Sequence, residues 1–191
     1  MTTTTSPTTV ADGERSLTPP LTRGTWALDT NHTSVGFVIR RLGLAKVRGH
    51  FSDVSAELVV GSTIDDCHVN ATVALASIDT GNADRDAHLR TADLLDVENR
   101  PTMSYRSTSV RGDGSEWTVT GELTIGDVTA PITLAVEAGD VGDYFDGTRH
   151  VGIEAIGEIR RSDFGLGFGL LGAMLGNVVT IELDLELIEP A

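Results

Sequence analysis

From Val178 to Ile188 apolar and polar residues alternate almost without a break. Val179, Ile181, Leu183, Leu185 and Leu187 share one side, and Thr180, Glu182, Asp184 and Glu186 the other. Successive side chains on a strand point to opposite faces, so this is a β-strand with one dry and one acidic face. The same period recurs along most of the chain. It predicts a short strand at Trp26–Thr30, a turn or short helix at Asn31–Ser34, and a second strand with Val35, Phe37 and Ile39 on one face. A third strand runs from about Lys46 to Val60, with a bend near Gly49. Cys67–Ile78 then places Val69, Ala71, Val73 and Leu75 together. Met103, Tyr105 and Ser107 alternate, and Trp117, Val119, Gly121, Leu123 and Ile125 follow the Gly112–Gly114 turn. Ile132, Leu134 and Val136 come after Pro131, whose missing N–H is tolerated at a strand start. Val151, Ile153, Ala155, Gly157 and Ile159 form the strand before the last.

Two segments break the pattern. Met1–Arg23 is rich in Thr, Ser and Pro and nearly free of large apolar side chains, so residues 1–23 read as a disordered tail and 24–191 as the folded domain. Asn82–Val97 reads as the one substantial helix, with Asn82 or Asp84 as its N-cap and Asp86 four residues before Arg90. Pro101 ends it, because the residue before a proline is pushed out of helical space.

Eight or nine strands joined by short turns favour an all-β, up-and-down antiparallel topology. A flat sheet of that size leaves two open edges, and closure into an eight-stranded barrel with one short helix excursion removes them. Such a barrel is either filled by its side chains or holds one small ligand. The small mid-strand residues Ala71, Gly121, Ala155 and Gly157 either complement Phe37, Phe51, Tyr105 and Trp117 or leave a tube of free volume. Periodicity reports dryness and not vacancy. Between the last two strands, Phe164–Gly176 carries no charge and five glycines, unlike an ordinary polar surface loop. It plugs the barrel end, lids an apolar ligand, or forms a dimer contact.

Composition narrows the chemistry. At 191 residues the chain is long enough for a single domain with a sizeable core. The formal charge of −14 argues against nucleic acid or an anionic membrane surface as partner. There is no apolar run long enough for a membrane span, no secretory signal pattern, and one cysteine, Cys67, which together make the cytoplasm the expected compartment. His32, His50, His68, His88 and His150 show no metal-ligand spacing, and the neighbours Cys67 and His68 point to opposite faces of a strand, so no metal is expected. No nucleophile motif or phosphate-cradling loop is present, so neither catalytic residues nor a cofactor are expected. Arg85-Asp86-Ala-His88-Leu89 is the polar cluster of most interest. It either fixes the helix excursion by ion pairs and caps, or offers Asp86 or His88 to the polar head of a ligand.

Taken in order, seven segments make the chain from Trp26 onward resemble the YceI-like family of polyisoprenoid-binding, lipocalin-like proteins. They are Trp26-Ala-Leu-Asp29 with His32-Thr-Ser34, Lys46-Val-Arg-Gly49-His-Phe51, Ser77-Ile-Asp-Thr80, Arg85-Asp-Ala-His-Leu89 with Ala92-Asp-Leu-Leu-Asp96, Arg100-Pro-Thr-Met-Ser-Tyr105, Gly121-Glu-Leu-Thr-Ile125 and Arg160-Arg-Ser-Asp-Phe-Gly165. Arg40-Arg41 stands where the family often has a histidine. The resemblance implies an extended barrel with a tunnel for a long apolar molecule such as an isoprenoid quinone, a polyprenyl chain or a fatty-acid-derived lipid. Its wall then falls to Phe37, Phe51, Val73, Leu75, Met103, Tyr105, Val119, Leu134, Ile153, Phe164, Phe168 and Leu183, with Asp86, His88 and Leu89 at the head group or lid. Burying a chain of about 30–40 carbons at roughly 0.8 kcal/mol per CH₂ gives ample gross driving force, so tail length sets affinity more than head group does. The readings that remain are a non-catalytic carrier, a packed homodimeric interaction module, and an enzyme acting on a bound lipid through His88 or Asp86.

Overall fold

The computed structural model describes residues 20–191, apart from the side chains of residues 170 and 171. Most of the tail expected at 1–23 therefore lies outside the described residues. The strands are β1 Gly24–Leu28, β2 Ser34–Arg41, β3 Ala45–Phe51, β4 Val54–Val60, β5 His68–Ala74, β6 Ile78–Asp79, β7 Thr102–Asp113, β8 Glu116–Ile125, β9 Val128–Ala138, β10 Gly142–Asp143, β11 Arg149–Arg160 and β12 Leu175–Ile188. The helices are α1 Ala83–Leu89 and α2 Gly169–Gly172.

Pairing shows that several of these are halves of one stave. β12 pairs antiparallel with β1 near its C-terminal end and with β2 along the rest. On the other side β1 pairs with β4 and β2 with β3, while β5 pairs with β4 and β6 with β3. The sheet continues through β7, β8, β9 and β11, and β11 returns to β12. The result is a closed, eight-stave, up-and-down antiparallel barrel, as the alternation predicts. The first stave is interrupted where Asp29 Oδ1 accepts the Asn31 N–H, an Asx turn. The second breaks at Ser52–Asp53 rather than bending at Gly49.

Gly49 has a different task. It lies directly across from Phe37, and a Cβ there would sit 2.5 Å from the Phe37 ring. Gly121 makes the same room for Tyr105, at 2.5 Å, and Gly157 for Leu134, at 2.7 Å. These glycines let large inward side chains lie flat against the wall.

Both barrel ends are closed by protein. At one end Trp26, Val60, Val151 and Leu187 form a buried cluster joined by Leu21. The Trp26 indole N–H donates to the Thr22 carbonyl at 2.8 Å, so residues ahead of Gly24 already pack on this end. At the other end Leu75, Ile78, Leu95, Phe164 and Leu166 pack with inward residues of the staves. The helix in this plug is shorter than its sequence predicts. Asn82 caps it by accepting the Arg85 N–H at 2.9 Å, but after Leu89 the chain folds into turns. Arg90 does not pair with Asp86; its guanidinium donates to the carbonyls of Ala76 and Ile78 instead.

The uncharged segment 164–176 belongs to the same plug. Arg161, 8% exposed, donates to the carbonyls of Leu166, Gly167, Gly172, Leu175 and Gly176. One guanidinium thus satisfies backbone acceptors that a glycine-rich loop cannot pair by itself, and its fixed fork suits the role. Within this segment the last strand starts at Leu175, ahead of the alternating stretch.

Gly121→Ala should lower stability by about 1–3 kcal/mol in urea unfolding, because the methyl would meet the Arg106 carbonyl as well as the Tyr105 ring. Gly152→Ala, with nothing within 4 Å of the new carbon, should stay within about 0.5 kcal/mol. Equal losses at the two positions would contradict this account.

Candidate ligand cavity

Between the two closed ends the inward faces do not meet. They leave a partly open cavity of about 240 Å³ whose facing surface is wholly apolar. Phe37 and Phe51, from β2 and β3, stack at 5.7 Å between ring centroids and close it toward the plug. Ala56 and Ala71 lie directly opposite each other on β4 and β5, and their short side chains leave part of the space open. Leu21, Val60, Ile64, Cys67 and Leu187 line the far end.

Of the wall residues expected from sequence, Phe37, Phe51, Val73, Met103, Tyr105, Val119, Leu134, Ile153 and Leu183 line this space. Leu75, Phe164 and Phe168 do not. Leu75 and Phe164 are each 1% exposed inside the plug, and Phe168 packs against it with its ring 5.4 Å from the Arg161 guanidinium carbon. Trp117, Val136, Ile181 and Leu185, which the alternation already places on inward faces, complete the wall. Pro20, Leu21 and Ile64 come from outside the staves, where no periodic signal exists.

The head-group candidates lie away from the wall. Asp86 is buried, and its Oδ1 accepts both the Thr80 N–H at 3.0 Å and the Thr80 hydroxyl at 2.5 Å. Those hydrogen bonds, with the Arg90 and Arg85 charges nearby, hold its carboxyl below the usual range despite burial. Arg85 completes the knot by donating to the Thr80 hydroxyl and carbonyl. His88 is exposed beside Asp93, 3.2 Å away, and Leu89 packs into the plug. Asp86 therefore holds the excursion in place, and none of the three touches the cavity.

Tyr105 places a polar group beside the wall. Its ring lines the cavity over Gly121, but its hydroxyl is enclosed and has no hydrogen-bond partner among the described residues. Burial pushes its pKa up to about 12, so the group stays neutral.

A second polar group, which residue spacing does not reveal, gathers on the outer surface. Asp29 Oδ2 lies 2.8 Å from His32 Nδ1, and Glu186 Oε1 lies 2.5 Å from His150 Nδ1. Tyr144 stacks on His150 at 4.5 Å. Ligand atoms of Asp29, His32 and Glu186 fall within 4.8 Å of one another, the one set of described residues that could hold a metal. In this arrangement the histidines and carboxylates already satisfy each other. The pairs tie the first-stave turn and the start of β11 to β12.

Two predictions follow from these placements. The folded Asp86 pKa is depressed below 3.8, so its contribution is complete above that value and is lost as pH falls through the folded pKa. The stability gap between the wild type and Asp86→Asn should therefore shrink as urea unfolding is moved from pH 7 toward pH 2; a gap constant over that range would contradict the assignment. Tyr105→Phe should be neutral or stabilising by about 1 kcal/mol, because it removes an unpaired buried hydroxyl. A loss of stability would mean that the hydroxyl has a partner.

The comparisons with known proteins agree with this barrel. A family model described as the YceI-like domain matches residues 26–187. The YceI protein of Escherichia coli O157:H7 is 38% identical over 140 residues, covering 71% of each chain. The structure of a Campylobacter jejuni YceI protein superposes with a TM-score of 0.70 at 31% identity, over 86% of this chain and 97% of that one. A polyisoprenoid-binding domain from Saccharophagus degradans shares the fold, with a TM-score of 0.63 at 17% identity, over 86% of this chain and 98% of that one. With the family model spanning nearly every stave of the barrel, the chain belongs to the YceI-like family.

Proposed function

We propose that this protein is a non-catalytic carrier that holds one long apolar chain, of the isoprenoid or fatty-acyl kind, inside its barrel. The observation that carries the reading is the wholly apolar surface of the cavity. Water there finds no polar partner, and even a smaller apolar cavity of roughly 150 Å³ stays dry and takes up an apolar guest. A bound chain meets no general acid, base or nucleophile on that surface, which favours carriage over catalysis. Each five-carbon unit buried is worth roughly 4 kcal/mol gross, so affinity rises with tail length. The S. degradans domain, described as polyisoprenoid-binding, lends the same reading support from a shared fold.

Native mass spectrometry of protein purified from its own host without detergent should show a stoichiometric lipid adduct that organic solvent releases. Ala56→Phe, which fills space opposite Ala71, should lower uptake of a prenyl chain by about tenfold while keeping the folded spectrum, since added volume in a cavity displaces guest before it strains the wall. A wild-type protein that arrives empty and fails to bind menaquinone or polyprenol in titration would overturn the proposal.

A further inference from the structure

The β2–β3 hairpin carries three features that each work against stability. Its turn, Arg41-Leu42-Gly43-Leu44, has positive φ at both central residues, +53° at Leu42 and +70° at Gly43, closed by the Leu44 N–H donating to the Arg41 carbonyl at 3.0 Å. Turns of this kind favour Asn-Gly, and leucine is a poor occupant of that conformation. Leu42 and Leu44 are also 59% and 84% exposed. Beside them stand Met174 and Val178, 37% and 41% exposed, with the Leu42 N–H donating to the Met174 carbonyl. Behind the turn Arg40 and Lys46 face each other directly across the ladder, a like-charge pair that is unfavourable by itself.

The charge is concentrated as well. Arg40, Arg41, Lys46 and Arg48 are four of the chain's fourteen Lys and Arg residues, with no acid between positions 40 and 48. All four are exposed, and among the described residues none has a carboxylate within 4.0 Å. Cations on an open edge are an ordinary guard against strand pairing, and beyond its contact with β6 the outer edge of β3 is open. That guard explains Lys46 and Arg48 but not two bare leucines at the tip.

We infer that this hairpin is a docking element for an anionic lipid bilayer. The leucines enter the interface while the four cations lie among the headgroups, the division of labour found in interfacial anchors. The net charge of −14 does not prevent it. The nearest acids on the neighbouring strands, Asp79 and Glu182, are in register with His50 and Gly36. That is six residues from the leucines, roughly 20 Å along a strand, well beyond a screening length of about 8 Å. One acid comes nearer, Asp163, whose neighbour Ser162 bonds Asn177 in the stretch of β12 facing Arg40 and Arg41, and the four cations outnumber it. The inference extends the carrier reading by giving the barrel a membrane source for its cargo, yet it does not depend on cargo. A chain that carries nothing would still dock.

The test is co-sedimentation of the full chain with 100 nm vesicles of phosphatidylcholine alone and of phosphatidylcholine with about 30% phosphatidylglycerol. The protein should bind the anionic vesicles, lose that binding at high salt, and ignore the neutral ones. Leu42→Ser with Leu44→Ser should weaken binding by about tenfold, and Arg40→Glu with Lys46→Glu should abolish it, each with an unchanged thermal midpoint. Equal binding to both vesicles, no binding to either, or binding that survives both double variants would overturn the inference. So would a dimer in solution that Leu42→Ser with Leu44→Ser dissociates, because the tip would then belong to a second copy. If prenyl uptake fails while vesicle binding persists, the carrier proposal falls and the docking element stands.

Discussion

Everything in this molecule depends on closure of the sheet along β11 and β12. Eleven residue pairs in unbroken register, from His150 with Ile188 to Arg160 with Val178, join these two uninterrupted staves. Without that seam each stave would still present a dry face, but the sheet would end in two bare edges and its apolar face would be open to water. With it, period-two alternation becomes an inside and an outside. The Asp29–His32 and His150–Glu186 pairs sit on the outer side of the same seam and tie it to the first stave.

The interior is neither fully packed nor a simple tube. Gly49, Gly121 and Gly157 are filled by the side chains of Phe37, Tyr105 and Leu134, so glycine here does not mean emptiness. The free volume arises elsewhere, where Ala56 meets Ala71 and where the staves part between the end clusters. The protein closes both ends with its own residues, and the apolar middle remains for something else to complete.

Much of this architecture was legible in the sequence, because a dry face leaves a period of two in any strand that has one. Stave number, inward parity and most of the cavity wall follow from that period. What escaped it has other causes. Leu75 carries the inward parity but belongs to the plug, since a 3₁₀ turn at Leu75–Ser77 ends the stave early. Phe164 and Phe168 lie in a non-periodic segment whose path is set by the hydrogen bonds of Arg161 to its carbonyls, which no alternation reports. The helix stops at Leu89 because the backbone tightens there, the Thr91 N–H donating to the His88 carbonyl and the Leu95 N–H turning back to Leu89. The histidine–carboxylate pairs draw on residues far apart in the chain, which no spacing rule can assemble.

Arg161 has a further consequence. It holds the apolar cap through main-chain carbonyls, so one guanidinium at the cap's entrance fixes the path of the backbone that follows. A guanidinium does not lose its proton in any physiological range, so the fastening is indifferent to acidity. Phe164 and Leu166 still have to fit the buried plug, so the guanidinium fixes the path of the cap's backbone and leaves its packing to those side chains. In mechanical terms Arg161 is a pin: five carbonyls of one chain segment hang on a single side chain and would be released together with it.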